Sequence, residues 1–128
     1  RPIESLLFEE LSKDTPPGHV RKVLKLWHEA GHDVGVLSEA GCPGVADPGA
    51  AAVRLAHELG IRVVPLVGPS SLLLALMASG LNGQSFAFHG YLPIDRAARG
   101  QRIRQLEKAA WQHHQTQLFI ETPYRNGA

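Results

Sequence analysis

A loop rich in glycine and proline contains the residues best suited to ligand chemistry. It reads SEAGCPGVADPG over residues 38–49. Gly41, Gly44 and Gly49 allow positive φ and let a ligand approach the backbone closely, whereas the two prolines fix the chain path so that little entropy is lost on binding. Asp47 lies just before a predicted helix, where its carboxylate either caps the helix or contacts a ligand. The composition favours a binding loop and leaves both roles of Asp47 open.

Two further stretches follow predicted strands and carry polar side chains. In GPSS at residues 68–71, Ser70 and Ser71 either cap a helix or leave its free N–H groups to bind a carboxylate or phosphate. GPSS lacks the lysine of the GxxxxGK[ST] phosphate loop, and the chain has no GxGxxG pattern there, so a nucleoside triphosphate is not expected. ETPYR at residues 121–125 adds Glu121 and Thr122.

The elements that must position these loops alternate between helix and strand. Apolar residues at helical spacing predict helices over residues 19–31, 49–60, 68–80 and 94–114. Short apolar runs predict strands over residues 33–37, 61–67, 86–92 and 116–125. This order predicts an α/β fold with a parallel, doubly wound sheet. In such folds ligands bind beyond the carboxyl ends of the strands, and all three stretches leave strands at that edge.

The composition of the chain changes at Pro93, where an apolar stretch gives way to a long polar and basic one. We predict that residues 1–93 form a partial N-terminal α/β domain with the binding loops, and that residues 94–128 begin a truncated C-terminal α/β domain. The long helix predicted after Pro93 carries five basic residues, namely Arg96, Arg99, Arg102, Arg104 and Lys108. This basic stripe is either a solvated helix face or a contact for RNA phosphates.

Composition narrows the function classes. The formal net charge is +1, from 13 basic and 12 acidic residues, which is no overall signature of nucleic-acid binding. No apolar run approaches the roughly 20 residues that span a bilayer, and the first residues lack the order of a secretory signal. Cys42 is the single cysteine, and the seven histidines form no HExxH pattern, so neither a disulfide nor a metal site is predicted. We predict a cytoplasmic protein with no membrane partner.

Three ordered motifs carry a family resemblance. SEAGCPGVADPG, GPSS and FIETPYR resemble the tetrapyrrole methylase superfamily of S-adenosylmethionine-dependent methyltransferases, and within it the branch that acts on ribosomal RNA. The resemblance implies two α/β domains with S-adenosylmethionine in the cleft between them. It implies that the cofactor is bound by Ser38, Ala40, Gly41, Asp47, Ala50, Ser70, Ser71 and Thr122.

The resemblance also implies a reaction, the 2′-O-methylation of ribose in ribosomal RNA by direct displacement. Glu39 and Glu121 are then the candidate bases that take the proton from the acceptor hydroxyl. Two alternatives stay open: a corrin or porphyrin methylase with the same cofactor, and a non-enzymatic α/β interaction domain. The sequence departs from the family pattern at Glu39, Cys42, Val67, Thr122 and Tyr124. These departures affect the identity of the methyl acceptor, which stays open, and not that of the cofactor.

Two expectations concern assembly. The family's first strand is not found, so we expect this chain to be an internal fragment that is inactive alone. Residues 71–81, SLLLALMASGL, are apolar nearly all round a predicted helix. Because such a helix needs cover, we expect a homodimer or another partner chain to bury it.

Overall fold

The computed structural model describes residues 2–125, which form a mixed α/β protein. The described residues make two compact units that divide between Pro69 and Ser70. The outer ends of the two predicted domains, residue 1 and residues 126–128, lie outside the described residues, and the domain division after residue 93 stays a prediction. No helix within residues 2–125 has the length and apolar character needed to cross a membrane.

The first unit is built on two helices that pack together. After a short 3-10 helix at Ile3–Ser5, α1 covers Pro17–Glu29 and α2 covers Gly49–Glu58. The apolar faces of α1 and α2 enclose a small core, which consists of Val20, Leu24, Ala52 and Leu55 with Leu11, Val36, Leu59 and Ile61 packed against it. The helical core residues lie three or four positions apart, so the amphipathic pattern of the sequence accounts for this packing.

Each helix of the first unit is followed within two residues by a glycine that stops it, as the sequence predicts. Gly31 has a φ of 74° and Gly60 a φ of 70°, the left-handed conformation that glycine adopts without strain. After Gly60, the Ile61 amide donates back to the Ala56 carbonyl oxygen at 2.8 Å, and an equivalent bond follows Gly31. These bonds satisfy carbonyl groups of the last helical turn and direct the chain away from the helix.

The second unit contains a single βαβ motif, in which a helix connects two parallel strands. It begins with α3 (Ser71–Ser79), continues through β1 (Phe86–Tyr91), α4 (Arg96–His113) and β2 (Thr116–Ile120), and reaches a 3-10 helix at Pro123–Arg125. The strands β1 and β2 pair in parallel, as predicted, and α4 connects them. Their carboxyl ends therefore lie at the same edge of the sheet.

The parallel pair contains one irregularity close to that edge. Phe86 pairs with Thr116 and Phe88 with Leu118, but the register shifts before Tyr91. Gly90 lies in the irregular stretch with a φ of 65°, a conformation that favours glycine. The shift gives β1 one extra residue relative to β2, and pairing resumes at Tyr91, which lies opposite Ile120.

Two of the four predicted strands are not strands in the structure. Residues 33–37 and 61–67 form no ladder in the first unit, and Leu66 in the second of these runs is 87% exposed. A central strand of a parallel sheet obtains its backbone hydrogen bonds from neighbours on both sides, and residues 2–69 provide no such neighbour for either run. Within the described residues the sheet has two strands, and the larger doubly wound sheet remains a prediction.

Candidate functional site

A hydrogen bond closes the glycine- and proline-rich loop. Ser38 Oγ donates to Asp47 Oδ2 at 2.8 Å, and Asp47 Oδ1 accepts from the Gly49 amide at 3.4 Å. Ser38 Oγ also lies 2.9 Å from the Ala40 carbonyl oxygen. Both Ser38 and Asp47 are half-buried, so the position of the carboxylate is determined by the path of the loop around it.

The two roles that the sequence leaves open for Asp47 are compatible. Asp47 precedes Pro48, the N-cap residue of α2, and its carboxylate accepts from the amide of Gly49, the first residue of the helix, which satisfies one free N–H group of the first turn. That bond occupies one carboxylate oxygen, and the Ser38 hydroxyl approaches the other. An ionised carboxylate has about four lone-pair sites, so acceptor capacity remains for a ligand that carries hydroxyl or amino groups.

Close contact between backbones fixes the path of the loop. Gly41 and Gly44 have φ of 75° and 79°, as the sequence predicts, and Ala46 also takes a positive φ of 55°. Gly49 does not have a positive φ, which corrects the prediction for this residue. It is required for a different reason: a Cβ placed on Gly49 would lie 2.9 Å from the Gly44 nitrogen, so the start of α2 packs directly on the loop backbone.

The second predicted loop contacts the first within the first unit. Cys42 Sγ donates to the Pro69 carbonyl oxygen at 3.3 Å. A thiol is a weak hydrogen-bond donor, so this contact aligns the loops rather than contributing much stability. Cys42 is half-buried and takes a positioning role in the loop.

Ser70 and Ser71 open the second unit at the start of α3. Ser70 is the cap of this helix, and its Oγ accepts from the Leu73 amide at 3.4 Å. Ser71 is exposed. The structure therefore gives Ser70 the capping role that the sequence leaves open, while cofactor binding by either serine stays a prediction.

Glu121 and Thr122 lie side by side directly after β2. Glu121 Oε1 accepts from the Thr122 amide at 2.9 Å, and Glu121 Oε2 lies 2.9 Å from a guanidinium nitrogen of Arg125. The contact between Glu121 Oε2 and Arg125 is an ion pair whose geometry is not that of a hydrogen bond. Thr122 Oγ1 is buried and has no hydrogen-bond partner within residues 2–125. A polar group of a ligand or a water molecule would satisfy this buried hydroxyl.

Arg125 is a positioning residue that the sequence analysis did not single out. Its Nη2 donates to the carbonyl oxygens of Leu92 at 3.0 Å and Pro93 at 3.2 Å, in addition to its ion pair with Glu121. Leu92 and Pro93 follow β1, whereas Glu121 follows β2, so Arg125 links the carboxyl ends of the two parallel strands. The available signal was the spacing of four residues between Glu121 and Arg125.

The predicted site residues thus form two local groups, one in each unit. The first unit brings Ser38, Ala40 and Asp47 together, and the second holds Glu121 beside Thr122. The remaining predicted residues of the first loop are exposed, namely Glu39, Gly41 and Ala50. Within residues 2–125, no three His, Cys, Asp or Glu side chains are grouped so that they could hold a metal ion.

The chain is similar to several curated proteins, although no family model matches it. Ribosomal RNA small subunit methyltransferase I of Pseudomonas aeruginosa is 41% identical over 97 residues, which are 76% of this chain and 33% of that protein. The protein of the same name from Mesorhizobium japonicum is 45% identical over 97 residues, 76% of this chain and 32% of its own length. That of Bacillus subtilis is 34% identical over 118 residues, 92% of this chain and 38% of its own length. This chain is a homologue of those methyltransferases.

The homology confirms the family resemblance that the three motifs predict. The chain spans about a third of the length of the ribosomal RNA small subunit methyltransferase I proteins that it matches. The activity, substrate and partners of a whole protein of this family therefore belong to the proposal that follows.

Proposed function

We propose that this chain contributes the cofactor-binding loops of an S-adenosylmethionine-dependent methyltransferase that acts on ribosomal RNA. The observation that carries the proposal is homology to proteins named ribosomal RNA small subunit methyltransferase I, at 34–45% identity over 74% or more of this chain. Methyltransferases of this kind use S-adenosylmethionine as their methyl donor. Ribosomal RNA is accordingly the proposed acceptor, and the ribose 2′-hydroxyl the proposed position.

The polar groups of both units fit such a cofactor. S-adenosylmethionine carries ribose hydroxyls, an amino group and a carboxylate. The Asp47 carboxylate is a fixed acceptor for hydroxyl or amino groups, because Ser38 and the Gly49 amide hold it in place. Thr122 offers a buried hydroxyl that lacks a partner within residues 2–125 and can donate or accept. These residues are the ones that we assign to cofactor binding in the first and the second unit.

For methyl transfer, the protein must align the acceptor oxygen with the methyl group and provide a base for the acceptor's proton. Bound S-adenosylmethionine supplies an electrophilic methyl group on a sulfonium centre. The binding loops must hold the reacting oxygen and this methyl carbon about 3–3.5 Å apart and in line. Glu39, Glu121 or a water molecule that one of them orients would take the proton that the acceptor hydroxyl loses when it is methylated. Glu121 is the better positioned of the two, since its neighbours hold it, whereas Glu39 is exposed.

The finer parts of the proposal concern assembly and location. We assign the whole protein a two-domain, doubly wound α/β fold, a homodimeric state and a cytoplasmic location. The exposed apolar residues of α3 support the dimer, since Leu74 is 60% and Met77 79% exposed in this chain. An apolar face of this kind is typical of surfaces that another chain covers.

The experiment measures cofactor binding and methyl transfer by the full-length protein. Calorimetry with S-adenosylmethionine compares wild type with Asp47→Asn, and Asp33→Asn is the matched control because Asp33 is exposed. We expect Asp47→Asn to weaken binding at least tenfold, about 1.4 kcal/mol, and the control to leave it unchanged. Equal affinity in the two variants refutes the assignment of Asp47.

The methyl acceptor is tested in the same preparations. Small-subunit ribosomal RNA and a porphyrin or corrin macrocycle are each incubated with methyl-labelled cofactor, and labelled RNA is digested to nucleosides. We expect label on a ribose 2′-oxygen. Label on a base refutes the ribose assignment, label on the macrocycle alone refutes the RNA assignment, and failure to bind the cofactor at all supports a non-enzymatic interaction domain.

A further inference from the structure

Four of the five basic residues of α4 fall into two sets, and the fifth, Arg96, is the exposed first residue of the helix. Arg99 donates from its guanidinium to the Ile94 carbonyl oxygen at 3.1 Å, and Arg102 lies 3.1 Å from His89 Nδ1. Because a guanidinium can only donate, His89 Nδ1 accepts, and its Nε2–H donates to Gln117 Oε1 at 2.6 Å. Arg99 and Arg102 are half-buried and their guanidinium groups are used inside the protein. They are therefore poorly placed to bind an external phosphate.

The second set occupies the opposite face of the helix. Arg104 and Lys108 are exposed, and neither forms an ion pair or a side-chain hydrogen bond with any residue of the described range 2–125. At about 100° per residue, Lys108 and Trp111 lie within about 40° of Arg104 around the helix, whereas the buried Leu106 lies about 160° away. Trp111 is 77% exposed. Two unpaired cations and an exposed indole thus share one face of α4.

An apolar groove borders this face on one side only. It has a volume of about 550 Å³ and is lined by Ile103, Leu106, Glu107, Trp111 and Phe119 among others, but not by Arg104 or Lys108. Trp111 therefore stands between the groove and the two cations. A largely apolar groove with one carboxylate, that of Glu107, thus lies on one side of Trp111, and the positively charged surface lies on the other.

We propose that Arg104, Lys108 and Trp111 form a binding face for single-stranded RNA. The cations bind backbone phosphates, and an unstacked base lies on the Trp111 indole at the edge of the groove. The charge arrangement favours this occupant: Glu107 repels phosphate from the groove side, and its carboxylate accepts hydrogen bonds from the amino group of a base. The inference rests on the proposed function, because it names the surface that would hold the RNA acceptor.

The test is RNA binding by the full-length protein. The probe is a fluorescently labelled oligocytidylate, whose bases carry an amino group, and binding is measured by polarisation at several salt concentrations. Wild type is compared with the double variant Arg104→Gln/Lys108→Gln, with Trp111→Ala and with Trp111→Phe. Lys22→Gln is the matched control, because Lys22 is an exposed cation on α1. Circular dichroism verifies that each variant is folded.

We expect two separate signatures. Removing both cations should reduce the slope of log affinity against log salt by about 1.4, because each phosphate contact on a single strand contributes about 0.7. Trp111→Ala should weaken binding by about five- to 150-fold at constant slope, and Trp111→Phe should restore most of that loss, since a phenyl ring also stacks on a base. Lys22→Gln should change neither quantity.

The outcomes distinguish this inference from the proposed function. If the double variant keeps the wild-type slope, or if Trp111→Ala keeps the wild-type affinity, the binding face is refuted. It is also refuted if light scattering shows that the variants dissociate an oligomer, because α4 then contacts a second copy of the chain. Methyl transfer is measured in each preparation: a wild type that binds RNA through this face but transfers no methyl group refutes the proposed function alone.

Discussion

Replacing Gly49 with alanine tests whether the candidate loop depends on backbone packing. A Cβ on Gly49 would lie 2.9 Å from the Gly44 nitrogen, whereas ordinary contacts begin near 3.4 Å, so the loop must retreat by about 0.5 Å. Gly18 in the first turn of α1 is the matched control, because a Cβ there would meet nothing within 4 Å. Both changes place the same methyl group in the first turn of a helix.

The magnitudes follow from helix propensity and from overpacking. Alanine in place of glycine stabilises a helix by roughly 0.5–1 kcal/mol, and that gain is common to Gly18→Ala and Gly49→Ala. Forcing an extra methyl group into a packed site costs about 1–3 kcal/mol, and only Gly49→Ala incurs this cost. We therefore expect Gly49→Ala to be less stable than Gly18→Ala by about 1–3 kcal/mol, and to bind S-adenosylmethionine more weakly because the Asp47 loop is displaced.

The assay is urea unfolding of the two variants under identical conditions, with calorimetry for the cofactor. Comparing two glycine-to-alanine changes cancels most of their effect on the unfolded chain. If Gly49→Ala gains as much stability as Gly18→Ala, the contact between Gly49 and Gly44 does not constrain the loop. If Gly49→Ala loses stability yet binds the cofactor normally, the loop is rigid but is not the binding site.

Two further predictions concern the second unit. Arg102→Met should lower the free energy of unfolding by about 0.5–1.5 kcal/mol, because the contact to His89 is lost, while leaving the salt slope of RNA binding at the wild-type value. A reduced slope in this variant would place Arg102 at the phosphates instead. Arg125→Gln should cost about 1.5–3 kcal/mol of stability, since a charged group leaves two carbonyl oxygens and Glu121. A double-mutant cycle with Glu121→Gln in urea should give a non-zero coupling, and strictly additive losses would show that the ion pair does not stabilise the loop.

Local sequence signals predicted the helices well. The glycines after α1 and α2 take the left-handed conformation that ends a helix, and the apolar residues at helical spacing form the core of the first unit. These features depend on residues within a few positions of each other. Residues 33–37 and 61–67 show the limit of such signals, because an apolar run becomes a strand only when another segment offers a ladder of hydrogen bonds.

The sequence located the loops of the candidate site but not the hydrogen bonds within and between them. Glycine and proline content located the loop over residues 38–49, and the resemblance assigned its residues to a cofactor. The bond between Ser38 and Asp47 joins residues nine positions apart, and the bonds from Arg125 reach Leu92 and Pro93, more than thirty positions away. Contacts of this range depend on how the chain folds between the two partners, which local composition does not specify.

The basic residues of α4 show how packing divides a single sequence pattern. In the sequence, five cations in thirteen positions form a single stripe. The sheet against which α4 packs adds polar acceptors such as His89, and these capture the guanidinium groups that point toward the protein. Only the cations on the far side of the helix keep the freedom to exchange counterions for phosphates, which is the source of salt-dependent RNA affinity. Under the proposed RNA-binding face, the number of phosphate contacts would therefore depend on which guanidinium groups the protein already uses, such as those of Arg99 and Arg102, and not on the count of arginines in the helix.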